Sequence, residues 1–278
     1  MNIDKIKFTK MQGAGNDFVV LDNRQYQFRM KDLIQMAPKL CDRKFGIGAD
    51  GLLVLSNPQI DGLDYTMIYR NADGSDAGMC GNGARCLALF ASRSGFDTDQ
   101  RFNVHDNIYR AKVRSNDEVE VSFPIKTQIQ KINLDDQSLY QVYTGTEHVV
   151  KQEHKEDKLN NENDLRKEGR HFRLHDHFQP IGTNVNFIYG SGEKELRIQT
   201  YERGVEDLTL ACGTGAIASA LVWHNIQHQN REAKSEYTVK AKGGKLSVEF
   251  AYNPTTNTYS DIKLKGKVHF VFTGEYYL

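Results

Sequence analysis

The chain carries one five-residue pattern twice, as Cys80-Gly81-Asn82-Gly83-Ala84 and as Cys212-Gly213-Thr214-Gly215-Ala216, and each copy runs into a helix-compatible stretch. A cysteine at a helix start has its thiolate favoured by the helix dipole, and flanking glycines let backbone N–H groups approach an anion. One copy would suggest a nucleophile. Two matching copies suggest a pair, and the chemistry that needs a pair is removal of a proton from one face of a carbon and return of a proton on the other. That is racemisation or epimerisation. A helix start contributes up to ~2 kcal/mol, about one to one-and-a-half pH units off a reference thiol near 8.5, so each thiol is expected to be partly ionised near neutrality. Such a pair should titrate as a coupled system. The bland alternative is a small buried hydrophobe, the commoner fate of a free cysteine; two matching glycine contexts weigh against it.

The other two cysteines read differently. Cys86 lies six residues after Cys80, so a helix turns it about 120° away and the two cannot share a target. Cys41 has no cassette, and a metal site would need more clustered Cys and His than the chain offers. Both are expected to be core residues. Four cysteines in 278 residues are too few for a disulfide framework, and a reducing compartment would keep them as thiols. The opening MNIDKIKFTK has no apolar core of the signal-peptide kind, and no run approaches a membrane span, which points to a soluble cytoplasmic protein. The 36 basic and 36 acidic side chains cancel, so the attraction that nucleic acid or an anionic membrane exploits is missing and a small-molecule substrate fits better.

The elements that must position the cassettes come in a similar order in both halves. Strand patterns over Ile6 to Met11 and Phe18 to Leu21 flank the turn Gly13 to Asp17, and a helix is expected from Met30 to Leu40. Gly46 to Gly51 has the spacing of a dinucleotide-binding fingerprint but leads into the apolar run Leu52 to Leu55, so it reads as a glycine turn. Strand Tyr65 to Tyr69 delivers the loop Asn71 to Met79, the first cassette and a helix from Ala84 to Ser94. Strands follow at Phe102 to Val104, Ile108 to Val113 and Val119 to Phe123, and Pro124 marks a change of domain. The second half has strands at Ile129 to Ile132 and Leu139 to Thr144, then a charged stretch from Lys151 to His177 read as solvated loop and helix. Strands at Asn184 to Tyr189 and Glu195 to Tyr201 deliver the loop Glu202 to Ala211, the second cassette and a helix from Ala216 to Ile226. Strands at Tyr237 to Ala241, Lys245 to Phe250, Ser260 to Lys265 and Val268 to Phe272 complete it. Two related domains would face their helix starts across one cleft, the natural substrate site.

At these residues the chain resembles diaminopimelate epimerases. The likeness runs through MQGAGNDFVVLDN, GIGADGLLVL, NADGSDAGMCGNGARC, GTNVNF and YERGVEDLTLACGTGA, in that order and over nearly the whole length. It implies an α/β (α+β) fold of two pseudo-symmetric domains, 1–124 and 125–266, each a barrel-like, mostly antiparallel sheet around a central helix, with the last strand, 267–278, packing back onto the first. It implies Cys80 and Cys212 as the catalytic thiols, with no pyridoxal phosphate and no metal. The implied reaction interconverts L,L- and meso-diaminopimelate, on the route to lysine and, in many bacteria, peptidoglycan. Asn16, Asn71, Asn184 and Arg203 match substrate-binding positions. Asn71, Asn184 and Arg203 would hold the distal amino acid end, Arg203 through a bidentate contact with a carboxylate. Gly81, Asn82, Gly213 and Thr214 match positions that receive the reacting carboxylate. Glu202 and His148 match positions near the reacting centre, although a lone Glu or His is more often a surface residue. The resemblance leaves a homodimer open.

Two departures bear on substrate. Where the family usually reads Gly-Asn-Pro-His, this chain reads Gly145-Thr146-Glu147-His148, so one hydroxyl replaces a substrate-binding amide. The loop GVEDLTLA between Arg203 and Cys212 is also one residue longer than a common form. A racemase of another amino acid is the enzymatic alternative. A redox switch with a regulated Cys80–Cys212 disulfide is the non-enzymatic one, although the separation is not that of a Cys-x-x-Cys motif. Closure of the cleft could also let the two thiols of an epimerase oxidise to a disulfide.

Overall fold

Gly13 and Asn16 pair across a two-residue turn whose central residues, Ala14 and Gly15, both have positive φ, 54° and 82°. This tight turn matches the twist of the strands it joins, and it delivers Asn16 at the start of a strand. The computed structural model describes residues 4–227 and 233–278; residues 1–3, part of the N-terminal stretch read above, and 228–232 lie outside it. Two compact units are resolved, residues 4–122 with Gly266–Leu278, and Phe123–Lys265.

In the first unit the order is β1 (Lys5–Gly13), β2 (Asn16–Asp22), α1 (Asn23–Tyr26), α2 (Met30–Cys41), β3 (Gly51–Ser56), β4 (Tyr65–Asn71), α3 (Gly81–Arg93), β5 (Asp99–Val104), β6 (Asn107–Val113) and β7 (Glu118–Phe123). The second has β8 (Ile129–Leu134), β9 (Gln137–Tyr143), β10 (Glu147–Gln152), α4 (Glu162–Leu174), β11 (Asn184–Gly192), β12 (Glu195–Glu202), β13 (Asp207–Thr209), α5 (Gly213–Ile226), β14 (Lys234–Ala241), β15 (Gly244–Asn253) and β16 (Thr258–Lys267). The final strand, β17 (His269–Tyr277), pairs antiparallel with β1.

Strand pairing repeats between the units. β1 and β2 are antiparallel, β2 and β3 parallel across α2, β3 and β4 antiparallel, β4 and β5 parallel across α3, β5 and β6 antiparallel. The same alternation runs through β9, β10, β11, β12, β14 and β15, with α4 and α5 as the crossovers. Parallel neighbours need a long connection, and a helix supplies it.

The two kinds of crossover helix differ in composition because they differ in burial. α2 buries one face, Leu33, Met36, Ala37, Leu40 and Cys41, and α4 only a thin stripe of Leu165, Gly169 and Phe172. α5 is buried almost throughout, from Gly213 to Val222, and packs against β8 to β12, β14 and β15, so its unit's sheet curls around it. A helix apolar on all sides belongs in a core. α3 packs in the same way against β1, β2, β3, β4 and β6. Such a helix must be slim: a Cβ at Gly215 would sit 2.4 Å from Asn186 Oδ1. Among the described residues no helix is long and apolar enough to cross a membrane.

Several elements depart from the sequence reading. Both central helices begin three residues earlier than expected, at Gly81 and Gly213, because the cysteine before each is a cap that offsets the low helix propensity of glycine. The charged stretch is less solvated than its composition suggests: β10 reaches Gln152, and α4 packs its stripe on β11 and β12. The short strand β13 lies in the segment read as loop. Cys41 and Cys86 are buried thiols, as expected, and burial pushes the Cys41 thiol up to about 12.

Candidate active site

Each cassette cysteine is the N-cap of its helix. Cys80 has φ −116° and ψ 117°, and Cys212 has φ −106° and ψ 119°. In both, the sulfur accepts a hydrogen bond from the backbone N–H three residues on, Gly83 to Cys80 Sγ and Gly215 to Cys212 Sγ, each at 3.4 Å. This is the bond that a Ser, Thr, Asp or Asn oxygen ordinarily makes at an N-cap. A donor aimed at sulfur favours the thiolate, and so does the positive end of the helix. The first N–H groups of any helix lack intrahelical partners, which makes Gly81, Asn82, Gly213 and Thr214 suitable hosts for an anion.

In the first unit the β1–β2 turn brings Asn16 to the cassette. Asn16 Oδ1 lies 3.6 Å from Cys80 Sγ and accepts from Asn82 Nδ2 at 3.4 Å. Its orientation is fixed, because Nδ2 donates to Asp50 Oδ2 at 2.7 Å and a carboxylate only accepts. Asp50 is held by Arg43, which also clamps Asp17 with Lys10. Burial alone would raise the Asp17 carboxyl, but these two cations hold it at about 2. Asn71 closes β4 and donates to Ser75 Oγ at 3.0 Å, a turn that leads toward the cassette.

In the second unit a buried polar chain ends on Cys212. Asn186 Nδ2 donates to the Val149 carbonyl at 3.1 Å, and Thr200 Oγ1 donates to Asn186 Oδ1 at 2.9 Å, so the amide has one orientation. Its other N–H meets His148 Nδ1 at 3.0 Å, making Nδ1 the acceptor and leaving the neutral ring's proton on Nε2. Nε2 donates to Thr214 Oγ1 at 2.9 Å, and the hydroxyl proton is then free to point at Cys212 Sγ, 3.4 Å away. Burial, with the Arg203 charge adding to it, pushes His148 down to about 3, so the ring is neutral in the folded protein. The surface reading of His148 is therefore overturned: β10 is sandwiched between β9 and β11, and its histidine is fully buried.

Arg203 follows the end of β12. It donates from Nη2 to Thr146 Oγ1 at 2.8 Å and from Nη1 to Glu147 Oε2 at 3.0 Å, Ile181 O at 3.1 Å and Gly182 O at 3.3 Å. Asn184 braces this corner, donating to Glu147 O and accepting from the Arg203 backbone N–H. Glu202, half-buried, is the last residue of β12, the place Asn71 holds at the end of β4. Cys80, Asn16 and Asn82 thus meet in one unit, and Cys212, Thr214 and His148 in the other, with Arg203, Thr146 and Asn184 around one corner of the second. Asn186, Asp50 and Glu147 had no assigned role from sequence. Asn184 and Asn186 are two apart on a strand and so share a face, a signal open to a sequence reader.

These two repeated units place the chain in a fold class with solved members. A phenazine biosynthesis protein of the PhzF family from Bacillus anthracis matches with a TM-score of 0.75 at 12% identity, covering 99% of this chain and 100% of that one. A hydroxyproline epimerase from Agrobacterium vitis matches with a TM-score of 0.71 at 12% identity, covering 99% and 93%. Within that class the chain belongs to the diaminopimelate epimerase family, whose model matches residues 8–122 and 140–269. It is 38% identical to the diaminopimelate epimerase of Flavobacterium psychrophilum over 268 residues, 96% of this chain and 98% of that protein. The Aquifex aeolicus diaminopimelate epimerase is 35% identical over 285 residues, 97% of each.

Proposed function

We propose that this protein epimerises L,L-diaminopimelate to the meso form without an organic cofactor or metal, with Cys80 and Cys212 as its two bases. The observation that carries the reading is the matched pair of sulfur caps, one on each central helix, at equal distance and near-equal backbone angles. One thiolate takes the α-proton, so a C–H bond breaks, an S–H bond forms and the electron pair moves toward the carboxylate. The other thiol gives its proton to the opposite face and becomes the thiolate. Nothing is consumed, and the two sulfurs have exchanged states.

The barrier is the negative charge that develops on a carboxylate already charged. Backbone donors at Gly81, Asn82, Gly213 and Thr214 would stabilise it, since fixed dipoles in a dry site are worth more than water. Asn16 would position Cys80, and His148 would act through the Thr214 hydroxyl. Glu202 would meet the α-ammonium, while Asn71, Asn184 and Arg203 would hold the distal end. The cytoplasm, whose reducing conditions keep thiols available, is the expected setting.

The test is turnover of L,L-diaminopimelate in D2O. The reading expects product deuterated at one α-carbon and a loss of about 10²–10⁴ in rate for C80A and for C212A, the range for a positioned acid or base. Absence of α-deuterium would overturn it. A second reading, a racemase of an amino acid lacking a distal carboxylate, draws support from Glu147, whose own carboxylate already sits on Arg203; racemisation of such an amino acid with diaminopimelate inert would decide for it.

A further inference from the structure

Asp50 directly precedes β3, and strand pairing sets it beside Asn16. Phe18 is opposite Gly51 in the parallel β2–β3 pair, and one step back the Asp50 N–H donates to the Asp17 carbonyl at 3.0 Å. The two carboxylate oxygens of Asp50 take different donors. Oδ1 accepts from Arg43 Nη2 at 2.7 Å, while Oδ2 accepts from Asn16 Nδ2 at 2.7 Å and from the Asp17 N–H at 3.2 Å. Arg43 is anchored in turn, donating from Nη2 and Nη1 to Oδ1 and Oδ2 of Asp17 at 2.7 and 3.1 Å, and the buried Lys10 reaches the same Asp17 carboxylate at 2.6 Å. Hydrogen bonds between charged groups are the stronger kind, so this frame holds the Asp50 carboxylate in one orientation.

An amide donates at one end and accepts at the other, so an Asn16 nitrogen committed to Asp50 leaves the oxygen for the cassette. Asn16 Oδ1 accepts from Asn82 Nδ2 at 3.4 Å and lies 3.6 Å from Cys80 Sγ, within reach of a bond in which the sulfur donates. Only the thiol has a proton to give to it. The reverse orientation would aim an N–H at the sulfur and favour the thiolate, because a bond made to one protonation state favours that state.

We propose that Asp50 is a positioning residue for Cys80: acting through Asn16, it makes the sulfur face an amide oxygen instead of an amide N–H and so favours the protonated thiol. Asp50 itself touches no reacting atom. Other groups also act on this sulfur. The Gly83 N–H donates to it, and Arg85 and Cys86 on α3 interact with it electrostatically. Lys10, Asp17 and Arg43 are paired with one another or with Asp50, and Arg70, near the end of β4, is paired with Asp76. Turning the Asn16 amide alters none of these groups, so Asp50 sets a displacement of the Cys80 titration and not its absolute position. In the proposed reaction, on which this consequence rests, the lock helps to keep a proton on a sulfur that must deliver one in one of the two directions.

The experiment is iodoacetamide alkylation of the full chain across about pH 5 to 10, the range in which a thiol titrates. Each cysteine is quantified by peptide mass spectrometry and each curve is scaled to its own high-pH limit, so that access does not set the midpoint. D50N keeps an oxygen for Arg43 and offers a nitrogen to Asn16, which can accept from it only by turning its own oxygen away from Cys80. The Cys80 midpoint is then expected to fall by about half a pH unit or more, with Cys212 unmoved. Loss of the Asp50 charge would push in the same direction by itself, and a double-mutant cycle separates the two causes. With N16A already present there is no amide to turn, and adding D50N should move Cys80 by less than about 0.2 pH unit. If D50N does not fold, D50S, whose hydroxyl donates as well as accepts, takes its place with a smaller fall expected. A Cys80 midpoint unmoved or raised by the folded variant, or an equal fall with and without Asn16, would overturn the proposal. A fall that needs Asn16, in a protein that fails the D2O test, would uphold the proposal while the epimerase reading falls.

Discussion

Arg203 Nη2 donates to Thr146 Oγ1 at 2.8 Å, so the residue that departs from the family pattern is bonded to the guanidinium proposed to hold the distal end of the substrate. Its neighbour Glu147 adds a carboxylate to the same guanidinium at 3.0 Å. Thr146 therefore holds Arg203 in place, and Glu147 occupies the charge that a distal carboxylate would seek.

Removing that competitor should help a dicarboxylic substrate. Both side chains are about 30% exposed, 27% and 33%, so the pair is worth only ~0.2–1 kcal/mol. E147Q is expected to lower KM for diaminopimelate by roughly two- to fivefold with kcat unchanged. R203K, which cannot form a bidentate contact, should raise KM strongly. Steady-state kinetics on the three proteins checks both, and an E147Q KM at or above wild type would show that Glu147 does not compete.

His148 predicts an acid-sensitive fold. Its folded value is depressed to about 3 from an ordinary 6.5, so between these limits the unfolded chain binds more protons. Stability is then fully present above about pH 6.5 and is lost as pH falls toward 3, by at most roughly 1.4 kcal/mol per pH unit for one group. Urea unfolding at about pH 7 and 4.5 should show a smaller difference for H148Q than for wild type. The rate profile of the wild type should have no limb belonging to this histidine.

The second glycine of each cassette is replaceable to different degrees. A Cβ at Gly215 would lie 2.4 Å from Asn186 Oδ1, an atom pinned by Thr200, whereas a Cβ at Gly83 meets the tip of Leu53 at 3.0 Å. G215A is expected to cost ~1–3 kcal/mol, the range for overpacking, and G83A less, because a leucine methyl can move. Thermal unfolding of the two variants checks the order. G215A should also slow turnover more, since Asn186 orients His148 and through it Thr214.

The chain's local patterns were readable where spacing alone fixes the backbone. The β1–β2 hairpin and α2 follow from alternation and from a 3.6-residue stripe. β10 did not, because Glu147-His148-Val149-Val150-Lys151-Gln152 runs into a charged stretch and its burial comes from β9 on one side and β11 on the other. α4 shows only Leu165, Gly169 and Phe172 to its core, too thin a stripe to outweigh seven charged residues in composition. Asn186 was quoted within a motif, yet its task depends on a histidine that lies 38 positions away.

By itself the sequence determined that a helix follows each cassette, although it set the starts at Ala84 and Ala216, three residues later than the cysteine-capped starts at Gly81 and Gly213. It also determined the family, through five segments whose order needs no structure. Only the tertiary structure decided what each sulfur meets. Asn16 reaches Cys80 across 64 positions, His148 reaches Thr214 across 66, and Glu147 reaches Arg203 across 56. Strand pairing makes those contacts, and burial gives them their chemistry, keeping His148 neutral.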